Sequence, residues 1–172
     1  MEAFLGVDIG INGAISLVNH KNFLLLCEPI PTTEHLINDK IRRQYNIQEI
    51  NSLIKGWANE YQIIRAGIER LRPIPNQASQ VAFSLGGGSM MFKTLFTVYG
   101  IPYIEFEPRM WQKEIFKRAG VQYTSDTTKI ASITASKNLF PGANFKRTEK
   151  CKVDSSDLTD SACIALYTKL TN

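Results

Sequence analysis

The chain has 172 residues, 44% hydrophobic and 21% charged, with a formal net charge of +4. This composition is typical of a globular protein rather than a disordered one, and the length predicts a single domain, residues 1–172. Three cysteines without a CxxC pair, and only two histidines, support neither a disulfide framework nor a zinc site. The basic balance favours a polyanionic partner. With no apolar run of membrane-span length and no signal-peptide pattern, we expect a soluble, cytoplasmic protein without a membrane partner.

The N-terminal part of the sequence predicts strands joined by short turns. Three apolar runs separated by glycine or polar turns indicate an antiparallel meander; the runs are residues 3–8, 14–18 and 23–27. Residues 28–45 contain two prolines and several charges without clear periodicity, so we expect a loop there. Apolar residues at helical spacing predict a helix over residues 47–61, and residues 63–69 predict a fourth strand.

The remaining sequence predicts helices that alternate with strands. Helices are expected at residues 79–99, 109–118, 127–139 and 155–170, and a fifth strand at residues 102–106. Ser125-Asp126 is expected to cap the third of these helices, and the last is expected to be amphipathic. Prolines exclude a central strand in residues 70–76, and residues 140–153 predict a basic loop. A meander followed by alternating helices and strands indicates one mixed α/β layer structure.

Four acidic residues lie where this pattern would bring them together. Asp8 and Glu69 each end a strand-like run, and Asp157 and Asp160 are three residues apart, on one face of a helix. Carboxylates brought together repel each other unless a cation lies among them, usually a hard divalent ion such as Mg²⁺. Two such ions about 4 Å apart can activate a water molecule and stabilise a leaving oxygen. In a basic chain, this pattern predicts metal-assisted attack on a phosphodiester.

Each acidic residue also has a structural explanation when it is taken alone. Asp8 can begin a turn, Asp157 can complement a helix dipole, and Glu69 can pair with Arg70 or Arg72. The order of all four along a mixed α/β pattern favours a common site over four separate explanations.

Five segments carry a resemblance to a known family: residues 6–15, 67–69, 100–102, 107–111 and 154–165. In these segments, which extend over almost the whole chain, the sequence resembles the RuvC-like Holliday-junction resolvases of the RNase H-like superfamily. The resemblance implies an RNase H-like fold, with a five-stranded mixed sheet (antiparallel meander, then parallel strands) flanked by helices. It also implies a catalytic, metal-binding set that holds two Mg²⁺ ions, for which Mn²⁺ can substitute: Asp8, Glu69, Asp157 and Asp160.

The activity implied by the resemblance is that of a magnesium-dependent endonuclease which resolves four-way DNA junctions. Flaps and three-way branches are further expected substrates. A homodimer is implied because paired incisions need two sites. The expected setting is a bacterial cell, with a phage-encoded protein as a variant, and the sequence identifies no motor partner.

The sequence departs from the family pattern at three places. Ile9 stands where many members have proline, and Asp157 stands where many have histidine. Residues 70–73 replace an aromatic that stacks on a junction base, which predicts weak preference for the bases at the cut.

Basic residues expected to bind DNA phosphates fall in three groups: Arg70 and Arg72; Lys113 and Lys117; and Lys146, Arg147, Lys150 and Lys152.

Some features and classes remain open at this stage. Residues 86–88 are either a flexible element facing DNA or a second subunit, or a kink in a helix, and Trp111 is expected in the core. The sugar-kinase, chaperone and actin ATPases begin with a similar strand-turn-strand, but they need two such domains. A general RNase H-like nuclease without junction preference and a non-catalytic DNA-binding module also remain, although four retained carboxylates argue against the latter.

Overall fold

A computed structural model describes residues 1–37, 39–72 and 78–172. Its strands are β1 (Glu2–Asp8), β2 (Ala14–Asn19), β3 (Leu24–Pro29), β4 (Thr32–Ile37), β5 (Lys40–Tyr45), β6 (Gln62–Glu69) and β7 (Tyr103–Phe106). The helices are α1 (Ile47–Glu60), α2 (Ser79–Val98), α3 (Pro108–Arg118), α4 (Thr128–Leu139) and α5 (Ser156–Leu170).

Five of these strands form one mixed sheet in the order β3-β2-β1-β6-β7. The β1–β2 and β2–β3 pairs are antiparallel, whereas the β1–β6 and β6–β7 pairs are parallel. A meander that continues into parallel strands through helical connections is the predicted arrangement, and the predicted five-stranded mixed α/β sheet is confirmed.

Helices cover both faces of the sheet. On one face, Ile50, Ile54 and Trp57 of α1 pack with Phe92 and Phe96 of α2 against β1 and β6. On the other face, α5 lies directly on the sheet, and α3 and α4 pack over it. Because α5 contacts protein on both sides, residues 161–168 are all buried. The prediction of an amphipathic last helix is therefore wrong, since no side of its middle turns faces solvent.

The expectation of a loop over residues 28–45 is also wrong. β4 and β5 form a separate antiparallel hairpin, with Thr32 opposite Tyr45 and Ile37 opposite Lys40. At its base, the backbone N–H of Asn46 donates to the carbonyl of Pro31 at 3.0 Å. The hairpin is mostly polar on both sides, so it lacks the alternation of apolar and polar residues that marks a half-buried strand.

Two further expectations concern the start of α4 and the proline-rich stretch after β6. The helix predicted to begin after Ser125-Asp126 is preceded by a single 3₁₀ turn, Ser125–Thr127, which is closed by a capping box between Thr124 and Thr127. The cap is therefore a threonine pair, in which the Thr124 N–H donates to Thr127 Oγ1 at 2.8 Å. Part of the proline-rich stretch, residues 73–77, lies outside the described residues.

Helix α2 continues without interruption through Gly86, Gly87 and Gly88. A Cβ at Gly88 would meet the Tyr45 ring, at 2.5 Å from its hydroxyl oxygen, whereas a Cβ at Gly86 or Gly87 would meet nothing within 4 Å.

By length and composition, α2 is also long and apolar enough to cross a membrane, and 28% of that stretch is buried. The helix is not an unbroken apolar run, because polar residues such as Gln80 and Lys93 lie within it.

The closest approach between helix and sheet occurs at Gly6 and Gly67. A Cβ at Gly6 would overlap the backbone of Ser161 and Ala165 in α5, and a Cβ at Gly67 would overlap the Thr168 side chain. The absence of a side chain at these glycines therefore sets how near α5 lies to β1 and β6.

We expect Gly6→Ala to lower the free energy of unfolding by about 1–3 kcal/mol or more, because the overlapped atoms belong to the backbone and cannot rotate away. The matched control is Gly56→Ala in α1, where a Cβ would meet nothing within 4 Å. This control should raise stability by about 0.5–1 kcal/mol, as expected for glycine replaced by alanine in a helix. Denaturant unfolding of both variants is the measurement, and equal effects would contradict the close-approach account.

Candidate active site

Two of the predicted site residues end neighbouring parallel strands. Val7 of β1 lies opposite Ile68 of β6, so the next residues, Asp8 and Glu69, leave the sheet at the same edge. Asp157 and Asp160 lie in the first turns of α5, which crosses β1 at Gly6. The fold therefore carries all four carboxylates to one edge of the sheet.

Asp8 is the acidic residue with the most unfavourable surroundings. Burial raises the pKa of Asp8 well above its ordinary value, and the negative charges of Asp160, Glu69 and Asp157 raise it further, in that order. The positive charge of Arg147 acts in the opposite direction. The four carboxylates therefore share one electrostatic environment, in which like charges oppose ionisation.

The neighbouring carboxyls show the same effect. Burial raises the pKa of Asp160 to about 7, the nearby Ser132 hydroxyl lowers it, and the charges of Glu69 and Asp157 raise it again. Burial also raises the pKa of Glu69, against a hydrogen bond from Trp111 that lowers it. A buried acidic group with a raised pKa is typical of a functional site.

The chemistry of these donors fits a hard divalent cation, since carboxylate oxygens are the ligands that Mg²⁺ prefers. Their spacing does not form a ready-made metal site: within the described residues, no group of three or more His, Cys, Asp or Glu side chains is arranged to hold a metal ion. The predicted ligands thus share an edge without forming a closed coordination group.

Arg147 binds one of these carboxylates directly. Its guanidinium lies 3.3 Å from Asp157 Oδ2, and it donates to the carbonyl oxygens of Asn12 at 2.5 Å and Gly13 at 3.4 Å. The Ser155 hydroxyl donates to the same Asp157 oxygen at 3.3 Å. The arginine predicted to bind DNA therefore joins the turn after β1 to the start of α5, as a cation within the acidic site.

Trp111 has a role that the sequence analysis did not assign. Its ring is buried in the core, as expected, but its indole Nε1–H donates to Glu69 Oε1 at 2.7 Å. A rigid donor of this kind fixes the orientation of the carboxylate it binds. The only sequence signal was position, since Trp111 lies in α3 directly after a strand that pairs with β6.

The other predicted DNA-binding residues fall into those paired with an acidic side chain and those exposed to solvent. Arg70 and Arg72 lie 3.7 Å and 2.7 Å from Glu107 Oε1, so an acidic residue partly neutralises both. The remaining predicted residues are exposed: Lys113 and Lys117 on α3, and Lys146, Lys150 and Lys152 in the loop before α5.

A groove of about 630 Å³ opens beside Asp8 and Asp157. Its walls are the glycine turn at residues 10–13, the first turns of α2, and two arginines of β5, Arg42 and Arg43. The sequence analysis missed these arginines because it treated residues 28–45 as a loop. Two six-residue runs flanking Asn38-Asp39, a turn-type pair, were the signal that could have revealed the hairpin.

This sheet order, with acidic side chains at the ends of β1 and β6, defines an RNase H-like architecture of the RuvC type. Three solved structures are similar over most of their length. The chain is 17% identical to Thermus thermophilus RuvC in complex with a Holliday junction substrate, with a TM-score of 0.64, covering 99% of this chain and 95% of that one.

A second structure of Thermus thermophilus RuvC is 13% identical, with a TM-score of 0.51, covering 96% of this chain and 90% of that one. The yeast mitochondrial Holliday junction resolvase Ydc2 is 14% identical, with a TM-score of 0.57 and coverages of 96% and 76%. No family model and no curated protein matches the sequence. The predicted resemblance to RuvC-like proteins is thus confirmed in the fold.

We expect Asp160→Asn to stabilise the metal-free protein in a pH-dependent way. Because the folded-state pKa of about 7 lies above the ordinary value of 3.8, ionisation of Asp160 costs stability as the pH rises through that range. The variant should match wild type near pH 4 and exceed it by a few kcal/mol at pH 8, since one pKa unit corresponds to about 1.4 kcal/mol.

Thermal unfolding between pH 4 and pH 8 measures this difference, at about 2–4 °C for each kcal/mol in a chain of this size. Adding Mg²⁺ at pH 8 should narrow the gap, because a cation compensates the charge only in wild type. A variant less stable than wild type at pH 8 would contradict the raised pKa of Asp160.

Proposed function

We propose that this protein is a divalent-metal-dependent endonuclease that cuts branched DNA, with four-way junctions as its main substrate. The observation that carries the proposal is the meeting of four mutually repelling carboxylates at one edge of a RuvC-type sheet. Buried like charges are costly for a fold, and burial raises the pKa of Asp8, Glu69 and Asp160, so a site that keeps these carboxylates together is explained best by a bound cation. The basic chain, at net charge +4, suits a polyanionic substrate.

Asp8, Glu69, Asp157 and Asp160 would hold the metal, with two Mg²⁺ ions as the expected occupancy and Mn²⁺ as a substitute. When bound, such ions supply a water of lowered pKa and charge stabilisation at the leaving oxygen. Trp111 orients Glu69 through its indole N–H. Arg147 holds Asp157 against the turn that follows Asp8.

We expect Asp8→Asn and Glu69→Gln each to reduce the rate of junction cleavage by roughly a thousandfold or more, the scale of several kcal/mol of transition-state stabilisation. Junction affinity should be unchanged or higher, because a negative charge beside phosphate is removed. Single-turnover cleavage in Mg²⁺ and anisotropy binding measure the two quantities.

The matched control for these variants is Glu60→Gln, at the exposed end of α1 away from the sheet edge. It removes the same type of charge and should leave both the cleavage rate and the affinity unchanged. Cleavage by Asp8→Asn at a near wild-type rate would contradict the assignment of the carboxylates, and junction binding without any cleavage by wild type would favour a non-catalytic DNA-binding module.

Substrate selection is proposed to rest on branch shape rather than on the bases at the cut. Arg70 and Arg72 stand where a stacking aromatic would read a base, and both lie against Glu107. Incision is therefore expected at several positions around a junction, with flaps and three-way branches as further substrates. Equal cleavage of junction and plain duplex DNA would favour a general RNase H-like nuclease.

The protein is proposed to act as a homodimer through α2. Four large apolar side chains of this helix are exposed, namely Val81 (48%) and the three most exposed, Phe83 (84%), Met90 (63%) and Val98 (68%). Between Phe83 and Met90, Gly86 and Gly87 leave the helix backbone open to close approach. An extended apolar stripe of this kind marks a contact surface, and a second copy would bring the two sites that paired incisions need.

We expect Phe83→Glu to convert the dimer into a folded monomer, because the side chain is exposed within one copy and would place a charge inside the interface. Sedimentation analysis gives the oligomeric state, and circular dichroism checks the fold. The control is Ile130→Glu on α4, where an apolar side chain that is also exposed (68%) lies outside the stripe and the dimer should persist. A monomeric wild type, or one that partitions onto lipid vesicles through α2, would contradict the proposed dimer.

A further inference from the structure

We propose that the β4–β5 hairpin is a DNA-binding arm of the active site, in which Arg42 and Arg43 bind the backbone phosphates beside the cut. This inference rests on the proposed function. It assigns the positive side of the site to an element that the sequence analysis treated as a loop.

The first observation is the position of the two side chains. Arg42 and Arg43 line the groove that also contains Asp8 and Asp157. A DNA strand whose scissile phosphate lies at the carboxylates must pass along this groove, so its neighbouring phosphates come within reach of both guanidinium groups. A guanidinium can bind phosphate oxygens through two parallel hydrogen bonds.

The second observation is the charge left available on these arginines. Within residues 1–37, 39–72 and 78–172, neither Arg42 nor Arg43 forms an ion pair. Their side-chain partners are neutral amides: Arg42 donates to Gln80 Oε1 at 2.8 Å, and Arg43 donates to Asn12 Oδ1. Amide oxygens orient a guanidinium without neutralising it, so both charges remain for a phosphate.

The third observation is that the hairpin is held in place at its base. Tyr45 of β5 packs on Gly88 of α2, where any side chain on the glycine would meet its ring. The Asn46 N–H closes the base by donating to the Pro31 carbonyl. Two anchored strands place Arg42 and Arg43 more rigidly than a free loop would, which lowers the entropy lost when they bind a phosphate.

A purely structural role is the competing explanation, in which the arginines serve only to join the hairpin to α2 and to the glycine turn. The two explanations differ in what happens when the protein partner is removed. Gln80→Ala deletes the partner of Arg42 but keeps its charge. The DNA-binding role predicts that this variant keeps the salt dependence of wild-type binding, because the charge that meets the phosphate is retained. The structural role predicts that it behaves like Arg42→Gln.

The experiment measures junction affinity by anisotropy in metal-free buffer over a range of KCl concentrations. Each lost phosphate contact should reduce the slope of log affinity against log salt by about 0.9, so Arg42→Gln with Arg43→Gln should reduce it by about 1.8. Replacing both arginines by lysine should largely restore the slope, because the charge returns. Lys40→Gln, at the far end of β5 and outside the groove, should leave it unchanged.

A second measurement locates the contact. Once the cut is mapped, a neutral methylphosphonate placed beside it should weaken binding by wild type but not by the double glutamine variant, as expected for two groups that interact directly. An unchanged salt slope in the double variant would overturn the DNA-binding role of the hairpin, and so would an equal loss of slope in Lys40→Gln. Either result would leave the proposed nuclease activity untouched. A wild-type protein that neither binds nor cuts junctions would overturn the proposed function itself.

Discussion

The candidate site depends on how closely α5 lies on the sheet. Gly6 and Gly67 face α5 with no side chain, and a Cβ at Gly6 would overlap backbone atoms of the helix. A buried hydrogen bond of 2.6 Å between Ser16 and Ser161 links the same helix to β2. Because this spacing is set by backbone, the first turns of α5 have one position relative to the ends of β1 and β6.

That placement has an energetic cost. Burial and like charge both raise the pKa of Asp8, so its ionised form is disfavoured in the metal-free fold. Two polar contacts reduce the cost in part: Arg147 lies beside Asp157, and Trp111 donates to Glu69. The fold thus tolerates unfavourable charge at this edge of the sheet, a balance between stability and activity that is common at functional sites.

Most strands and helices could be predicted from the sequence, because buried strands and helices carry strong apolar patterns. The run ending at Asp8, for example, is buried from Ala3 to Val7. The β4–β5 hairpin carried no such pattern, since it pairs only with itself and stays largely exposed. The burial of α5 on both sides was also missed, because periodicity within one helix does not reveal how many layers pack around it.

The candidate site was also only partly predictable from the sequence. Strand ends and helical spacing predicted where Asp8, Glu69, Asp157 and Asp160 would lie, because backbone position decides those relationships. Contacts between distant segments were not accessible in this way. The bond from Trp111 to Glu69 spans 42 residues, and the bond from Arg147 to the Asn12 carbonyl spans 135. Such pairs are determined by packing in three dimensions, which a single sequence does not display.

The distribution of positive charge around the groove follows from these contacts. The arginines closest to Glu69 in sequence, Arg70 and Arg72, are drawn toward Glu107 and so present less free charge than their number suggests. Arg42 and Arg43 are distant from Glu69 in sequence, yet they line the groove, and among the described residues their side-chain partners are neutral amides. A phosphate is attracted by charge that has no nearer anion to satisfy it. Among these four arginines, the charge without an acidic partner in the described part of the chain therefore lies on the hairpin rather than on the segment that follows Glu69.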